Sequence, residues 1–325
     1  MATYGAVYRR LRQDKNITLK NVEHSTGINN AVISRFERSV TDIGLNKLAP
    51  LLAAIHVSQT EFLFEYNYAQ AAERGQTPTE IKRYIHELND PFRVEFADLM
   101  STATYSGDDY EKLRPIIQKH EAAFQAAPNQ FELLVLSYYR ALYTILKNSK
   151  GNVLTSLPST DRNLQVLKRY LLNVDSWSVF EVLLFLISDI FFTPQDNLQL
   201  LRIGYRKSER LSISSEFRPL QFQLLASDFT ALLAQKAWPE AGQVLQMMQQ
   251  QKGSRDLAEK VVTLFYTGWL AIAQGDSVTG EKTCRNAIAI FRVLHASSEE
   301  KRWTQYLDQI LNDPESSLIL LGWTL

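Results

Sequence analysis

The feature that most constrains the fold is the helical spacing of apolar residues along most of the chain. From residue 77 to 312, apolar side chains recur every three or four positions, with breaks at proline, glycine or Asn-Asp pairs after one helix length. No segment shows the sustained alternation that is typical of a half-buried strand. Glycine and proline are scarce, at 13 and 10 of 325 residues, which also favours helices. The pattern predicts an all-α chain.

Two segments of the C-terminal part resemble each other. Residues 233–241 and 272–280 each end one helix, turn within a few residues and begin another. In the second segment, residues 269–291 resemble a tetratricopeptide repeat, in which small residues let paired helices approach closely. We therefore predict an α-solenoid of tetratricopeptide-like helix pairs for residues 78–325, with an irregular helical bundle as the alternative.

The charge is unevenly distributed along the chain. Lys plus Arg and Asp plus Glu both number 35, so the net charge is zero and a uniformly basic coat for nucleic acid is excluded. Residues 1–40, however, contain seven basic and three acidic residues, which gives +4 for this segment and −4 for the remainder. The sequence therefore predicts a small basic head on a mildly acidic body.

Cysteine usage and hydropathy suggest where the protein resides. The only cysteine, Cys284, allows no intrachain disulfide, which fits a reducing compartment, and it is expected to be a buried small residue. The N-terminus has no signal-peptide pattern. The most apolar stretch, 179–192, contains Glu181 and Asp189 and is too short to cross a bilayer. A soluble cytoplasmic protein without membrane contact is expected.

Residues 1–66 divide into five short helical segments. The predicted helices cover 4–14, 19–25, 30–38 and 45–55, and a fifth begins after Ser58. Thr18, Asn29 and Ser58 stand where N-cap residues are expected. Residues 67–77 are polar and contain Gly75, so they are predicted to form a linker, although their first part could extend the fifth helix.

Residues 18–38 have the pattern of a helix-turn-helix. Gly27 supplies the positive φ that the tight turn requires, and Val22, Ile28 and Ile33 are spaced to fill the wedge between the two helices. In such a motif the second helix lies in the major groove of DNA, with its first residues at the base edges. This segment is the strongest functional signal in the chain.

Position and chemistry give each polar residue of the head an expected role. Asn30 can bond to adenine and Ala31 can touch a thymine methyl group. Arg35 is expected to bond to guanine, with a phosphate contact as the alternative. Thr18 and the amides after it present a helix N-terminus to phosphate. The complete set of expected DNA contacts is Arg9, Arg10, Arg12, Thr18, Lys20, Asn29, Asn30, Ala31, Ser34, Arg35 and Arg38.

The segments GAVYRRLR at 5–12 and ISRFER at 33–38 carry a family resemblance. Over about residues 3–66 the chain resembles the xenobiotic-response-element class of helix-turn-helix proteins, and more narrowly the Rgg/GadR/MutR regulators of Gram-positive bacteria. Two positions depart from that pattern. Glu23 replaces a small residue, often alanine, and Ser39 replaces the glycine that commonly ends the second helix. We expect Glu23 to lie along the wedge with its carboxylate in solvent.

The resemblance implies a function for both parts of the chain. Regulators of this type are cytoplasmic homodimers that control transcription, and many receive a short, re-imported peptide pheromone on the concave face of their repeat domain. A two-fold symmetric dimer implies a palindromic operator, with half-sites about 34 Å apart or a multiple of that distance. The partners expected from the resemblance are double-stranded DNA, a short hydrophobic peptide and a second copy of the chain.

A peptide site on the repeat domain requires aromatic and aliphatic walls and a cation for the peptide carboxylate. The candidates are Arg83, Tyr139, Arg140, Tyr143, Asn148, Arg169 and Asn173, with ordinary core packing as the alternative for the aromatic residues. The apolar C-terminus, 317–323, is expected either to close the last repeat or to pack on a second subunit.

The sequence contains no pattern that indicates catalysis. Phosphate-binding glycine motifs and nucleophile motifs are missing, and the five histidines are isolated, so no catalytic residue, cofactor or metal is expected. The leading hypothesis is a DNA-binding regulator with a peptide-sensing domain. The alternative is a helical-repeat interaction protein with a non-peptide effector or a protein partner.

Overall fold

The computed structural model describes residues 2–76, 107–148, 156–213, 218–251 and 257–312. These residues form helices with short connections, and no strand occurs among them, so the predicted all-α class is confirmed. The chain divides into two compact units, Met1–Ala97 and Asp98–Leu325. We call the first the head and the second the repeat unit, and we describe each by itself.

The head contains five helices around one apolar core. Tyr8, Val22, Ile33, Leu51 and Phe62, one from each helix, are fully buried at its centre. The first four helices end within one residue of their predicted limits. The five are α1 (Tyr4–Asp14), α2 (Leu19–Thr26), α3 (Asn30–Glu37), α4 (Leu45–Ala54) and α5 (Gln59–Glu73).

Helix α5 is longer than the main prediction allowed. It continues to Glu73, so most of the segment predicted as a linker is helix, as the alternative prediction proposed. The reason is burial, because Asn67, Gln70 and Ala71 are all buried. The amide of Gln70 donates to the carbonyl of Ala2, and this bond attaches α5 to the start of the chain. The domain limits at 66 and 78 remain a prediction, since residues 77–106 lie outside the described residues.

The three predicted N-caps are confirmed. Thr18 Oγ1 accepts from the backbone N–H of Asn21 at 3.1 Å, and Asn29 Oδ1 accepts from that of Ala31 at 2.9 Å. Ser58 forms a reciprocal capping box with Glu61, in which each side chain accepts from the other's backbone N–H. These caps explain why α2, α3 and α5 begin where the sequence pattern places them.

The repeat unit consists of helices joined by short turns. The apolar segment 317–323 lies outside the described residues. Short 3₁₀ segments at Asp189–Phe191 and Glu209–Ile213 follow two of the helices. None of the helices in the described ranges is long and apolar enough to cross a lipid bilayer. They are α6 (Leu113–Ala126), α7 (Gln130–Asn148), α8 (Arg162–Asn173), α9 (Val179–Ser188), α10 (Pro194–Lys207), α11 (Arg218–Ala234), α12 (Trp238–Gln249), α13 (Leu257–Ala273), α14 (Ser277–Val293) and α15 (Ser297–Asn312).

The two segments that resemble each other in sequence form the same turn. Lys236, between α11 and α12, and Gly275, between α13 and α14, both have left-handed backbones, with φ of 57° and 96°. In both turns the next residue donates its N–H to a carbonyl five residues earlier, Ala237 to Leu232 and Asp276 to Ala271, at 2.9 Å. The helix-pair repeat read from the sequence is therefore present in the backbone.

Small residues bring α13 and α14 close together. A Cβ atom on Gly268 would lie 2.6 Å from the carbonyl oxygen of Gly280 and 2.6 Å from Cys284 Sγ, so only glycine fits there. Cys284 is fully buried, its thiol donates to the carbonyl of Phe265 at 3.3 Å, and burial raises its pKa to about 12. Cys284 is thus a small core residue, as predicted.

Candidate nucleic-acid interface

The turn between α2 and α3 has the geometry that a helix-turn-helix requires. Gly27 has a φ of 68°, and its N–H closes the end of α2 by donating to the carbonyl of Glu23 at 2.8 Å. Val22 and Ile33 are fully buried in the wedge, and Ile28 packs against the same core while partly exposed. These contacts hold α3 with one side on the core and the other in solvent.

The outward side of α3 carries the side chains that can reach a nucleic acid. Asn30, Ala31 and Arg35 are exposed, and Ser34 is partly exposed. Val32 is 41% exposed, whereas its neighbour Ile33 is fully buried, because consecutive residues on a helix point about 100° apart. The exposed side of α3 therefore includes one apolar residue.

Three of the predicted DNA-contacting cations have no partner within the described part of the chain. Arg9, Lys20 and Arg35 are exposed and make no side-chain hydrogen bond or ion pair there. Arg10 pairs with Glu65 at 2.6 Å on the surface, and Arg38 donates to the carbonyl of Ser34 at 3.2 Å. All five side chains remain in contact with solvent.

Arg12 was predicted to contact phosphate, but its side chain is buried inside the head. It is only 8% exposed, and its Nε and Nη2 atoms donate to the two carboxylate oxygens of Glu37 at 2.6 and 2.8 Å. Its Nη1 atom donates to the carbonyl of Ile17 at 2.6 Å. The bond to Glu37 raises the pKa of Arg12, which stays charged. Arg12 follows the buried Tyr8 by four residues, so helical spacing alone would have placed it on the inner side of α1.

The two departures from the family pattern are compatible with the motif. Glu23 does not simply extend into solvent, because its Oε1 atom accepts from the backbone N–H of Asn30 at 3.1 Å. Ser39 adopts the left-handed backbone that glycine usually supplies, with a φ of 58°. Val40 then donates to the carbonyl of Arg35 at 2.9 Å and ends α3 in the usual way.

In the repeat unit, Tyr139 does not fit the role of a peptide-lining residue. It is 2% exposed, its ring stacks on His120 at 5.4 Å, and it meets the edge of Tyr138 at 5.5 Å. Residues 134–139 are all buried, because α7 packs between α6 and α8. Tyr139 is a core residue, which was the alternative for the aromatic candidates.

The remaining peptide candidates are on the surface but do not form one site. Arg140 pairs with Glu121, and the Tyr143 hydroxyl accepts from Arg114 at 2.9 Å. Both candidates therefore contact side chains of α6. Within the described ranges, no hydrogen bond or ring contact joins any two of the candidates. Arg83 lies outside these ranges. The exposed candidates without a partner in the described part are Asn148, Arg169 and Asn173.

A buried acidic pair in the repeat unit was missed by sequence reasoning. Asp189 accepts from Ser227 Oγ at 2.5 Å and from the backbone N–H of Ile190 at 2.6 Å, and burial raises its pKa to about 7. Asp228 is fully buried, and its carboxyl has no hydrogen-bond partner in the described ranges. Burial, and then the nearby Asp189, raise the pKa of Asp228 well above its ordinary value. The two residues are 39 positions apart, so no local pattern indicates that they meet.

The described residues contain no group of three or more His, Cys, Asp or Glu side chains that could hold a metal ion. The head exposes one side of α3, and paired helices follow the head in the sequence. A helix-turn-helix head followed by helix pairs is typical of one class of transcriptional regulators.

Comparison with known protein families finds a match in the C-terminal part of the chain. Residues 152–305 match the family described as HTH-type transcriptional regulator Rgg, C-terminal domain. The matched residues are similar to the C-terminal domain of Rgg regulators. No curated protein sequence matches it.

Solved structures share the fold over nearly the whole chain. A protein of Listeria monocytogenes EGD-e assigned as a transcriptional regulator is 20% identical, with a TM-score of 0.68, over 96% of this chain and 98% of that one. The SHP pheromone receptor Rgg2 of Streptococcus dysgalactiae is 17% identical, with a TM-score of 0.59, over 94% and 98%. PrgX in its complex with cCF10 is 11% identical, with a TM-score of 0.60, over 96% and 93%. At these identities the similarity establishes the fold.

Proposed function

We propose that this chain is a sequence-specific DNA-binding transcription regulator that binds a palindromic operator as a cytoplasmic homodimer. The observation that carries the proposal is the exposed face of α3, where Asn30, Ala31 and Arg35 project from a helix whose other face is fixed in the core. Arg35 has no protein partner in the described part, so its guanidinium is free to bond to guanine or phosphate. The match of residues 152–305 to the C-terminal domain of Rgg transcriptional regulators supports this function and favours a non-catalytic protein.

The other head residues have positioning roles in this proposal. Arg9, Arg10, Lys20 and Arg38 contact phosphates, which fix orientation without reading sequence. The start of α2 offers a further phosphate site, because the N–H groups of its first two residues have no acceptor in the described part. Arg12 is removed from the predicted set because its donors are used inside the head. Thr18, Asn29 and Ser34 remain candidate contacts.

Enrichment of duplexes from a random pool tests the DNA proposal. The full-length protein should select a palindrome, and Arg35→Ala should weaken binding to it by about tenfold or more. Arg206→Ala is the matched control, since Arg206 is an exposed arginine of the repeat unit and its loss changes the net charge equally. If no duplex is enriched, or if both variants bind the enriched duplex as the wild type does, the proposal fails.

We infer further that the repeat unit binds a short hydrophobic peptide. Rgg2 is described as a pheromone receptor, and a further similar structure is described as a bacterial peptide pheromone/receptor complex, so peptide receptors share this fold. Arg169 is the best remaining candidate for the peptide carboxylate, because it is exposed and has no partner in the described part. Arg83, Arg140, Tyr143, Asn148 and Asn173 remain candidates for the rest of the site.

Thermal shift with short synthetic peptides encoded beside the gene tests this inference. A peptide at a hundred times its Kd stabilises the folded state by about 2.7 kcal/mol, which moves the melting temperature measurably. Arg169→Ala should reduce the shift, and Arg285→Ala, which removes an exposed arginine of α14, should not. If no peptide moves the transition, the effector is of another kind. The alternative of a head that no longer binds DNA is not favoured, because Glu23 and Ser39 preserve the motif.

A further inference from the structure

The first N–H groups of helix α3, the second helix of the motif, all find acceptors within the protein, and we call such a helix N-terminus closed. The first four N–H groups of a helix have no partner within that helix and are often free to bind an anion. In α3 all four have acceptors. Asn30 donates to Glu23 Oε1 at 3.1 Å, and Ala31 donates to the side chain of Asn29 at 2.9 Å. Val32 and Ile33 donate to the carbonyl of Asn29 at 2.9 and 3.2 Å.

Helix α2 differs from α3 in this respect. Thr18 accepts from Asn21 through its side chain and from Val22 through its carbonyl. The N–H groups of Leu19 and Lys20 find no acceptor within the described residues. The open helix N-terminus of the motif is therefore that of α2, and the closed one belongs to the helix that reads bases.

Glu23 is the residue that produces this difference. Asn29 closes three of the four groups in α3, as an ordinary N-cap residue does, and Glu23 reaches across the turn from α2 to close the fourth. Its negative charge lies at the positive end of the α3 dipole, where a phosphate would otherwise be attracted. A small residue at position 23 leaves both the N–H group and the dipole available.

We propose that Glu23 is a positioning and specificity-determining residue for DNA recognition, an inference that rests on the proposed DNA-binding function. Its hydrogen bond to Asn30 fixes the start of α3 relative to α2, so that the side chains of Asn30 and Ala31 meet base edges in one register. Its charge keeps the DNA backbone from docking on the α3 N-terminus. The hydrogen bond favours base readout over contacts that any sequence can make, whereas the charge lowers the affinity for every sequence alike.

The two effects can be separated by substitution. Glu23→Gln keeps an acceptor for Asn30 and removes the charge, whereas Glu23→Ala removes both. The charge repels every DNA sequence equally, but the hydrogen bond acts on the geometry that distinguishes one sequence from another. The measurement is therefore a specificity ratio, the dissociation constant for a scrambled duplex divided by that for a specific duplex of the same composition.

The specific probe is the duplex that the full-length wild-type protein enriches from a random pool. Glu23→Gln should tighten binding to both duplexes by a similar factor and keep the ratio. Glu23→Ala should tighten binding to the scrambled duplex and lower the ratio by about tenfold. Glu23→Ser, whose side chain is too short to reach Asn30, should act as Glu23→Ala does, and it provides a second test if the alanine variant is poorly folded.

Glu61→Ala is the matched control. Glu61 also accepts from a backbone N–H at a helix start, that of Ser58 at 3.4 Å. The substitution removes the same charge from the head, but at a different helix. Its ratio should equal that of the wild type. The proposal is overturned if Glu23→Ala and Glu23→Ser keep the ratio, if Glu23→Gln lowers it as much as they do, or if Glu61→Ala lowers it equally. If the wild type itself enriches no duplex, the proposed function fails instead.

Discussion

The head and the repeat unit bury charged groups in opposite ways. The head buries an arginine with a glutamate, Arg12 with Glu37, in a two-fold hydrogen-bonded pair. The repeat unit buries two carboxyls near each other, Asp189 and Asp228, with one hydroxyl and one backbone N–H as partners for the first. The head therefore holds both buried groups in their charged forms, whereas burial in the repeat unit favours the protonated forms of the two acids.

Breaking the buried pair of the head is expected to change the free energy of unfolding more than any other proposed substitution. Arg12→Met keeps most of the side-chain volume but leaves Glu37 buried without its partner, which should lower the free energy of unfolding by about 3–5 kcal/mol. Chemical denaturation followed by helical circular dichroism measures this loss. Arg10→Met is the matched control, because Arg10 pairs with Glu65 at the surface and its loss should cost less than about 1 kcal/mol. Equal losses in the two variants would contradict the assignment of Arg12 to the core.

The acidic pair of the repeat unit should make stability depend on pH in the opposite direction from ordinary carboxylates. The pKa of Asp189 is raised to about 7 and that of Asp228 is raised well above normal, so the folded state holds protons that the unfolded state releases near pH 4. The stabilisation is complete below about pH 4 and is lost as the pH rises through 7. For one proton the slope reaches about 1.4 kcal/mol per pH unit.

Asp228→Asn should remove part of this pH dependence. The asparagine is neutral at every pH, and Asp189 loses its like-charged neighbour, so the variant should be more stable than the wild type at pH 8 by about 2 kcal/mol and similar to it at pH 5. Thermal denaturation at the two pH values measures the difference. Asp308→Asn, at an exposed position of α15, is the control and should leave the profile unchanged. A variant profile that matches the wild type would mean that the pair is not protonated near neutral pH.

Local patterns explain why the head was predicted in more detail than the repeat unit. The caps Thr18 and Asn29 and the turn at Gly27 depend on neighbours within a few residues, and sequence reasoning placed all three. Arg12 was misassigned because its partners, Glu37 and Ile17, become visible only when α1, α3 and the loop after α1 pack together.

In the repeat unit, the turns within residues 233–241 and 272–280 likewise depend on local residues, and the sequence predicted both. The residues that form the core of the repeat unit could not be predicted from local patterns. Tyr139 and Asp228 owe their burial to helices that are distant in sequence, and a helical pattern alone does not distinguish a core tyrosine from one that lines a groove. A peptide site formed by several helices depends in the same way on residues that are distant in sequence.

The smallest expected effect concerns left-handed turns that both units use. Ser39 in the head has a φ of 58° and Gly275 in the repeat unit has a φ of 96°, and each is followed by an N–H that closes the preceding helix. Because a side chain is strained in this conformation, Ser39→Gly should raise the free energy of unfolding by up to about 1 kcal/mol, and Gly275→Ser should lower it by about 1 kcal/mol. Paired urea titrations of the two variants measure both signs. A loss of stability in Ser39→Gly would mean that the bond between the Ser39 and Thr3 hydroxyls outweighs the backbone strain, and that serine is the better residue for this head.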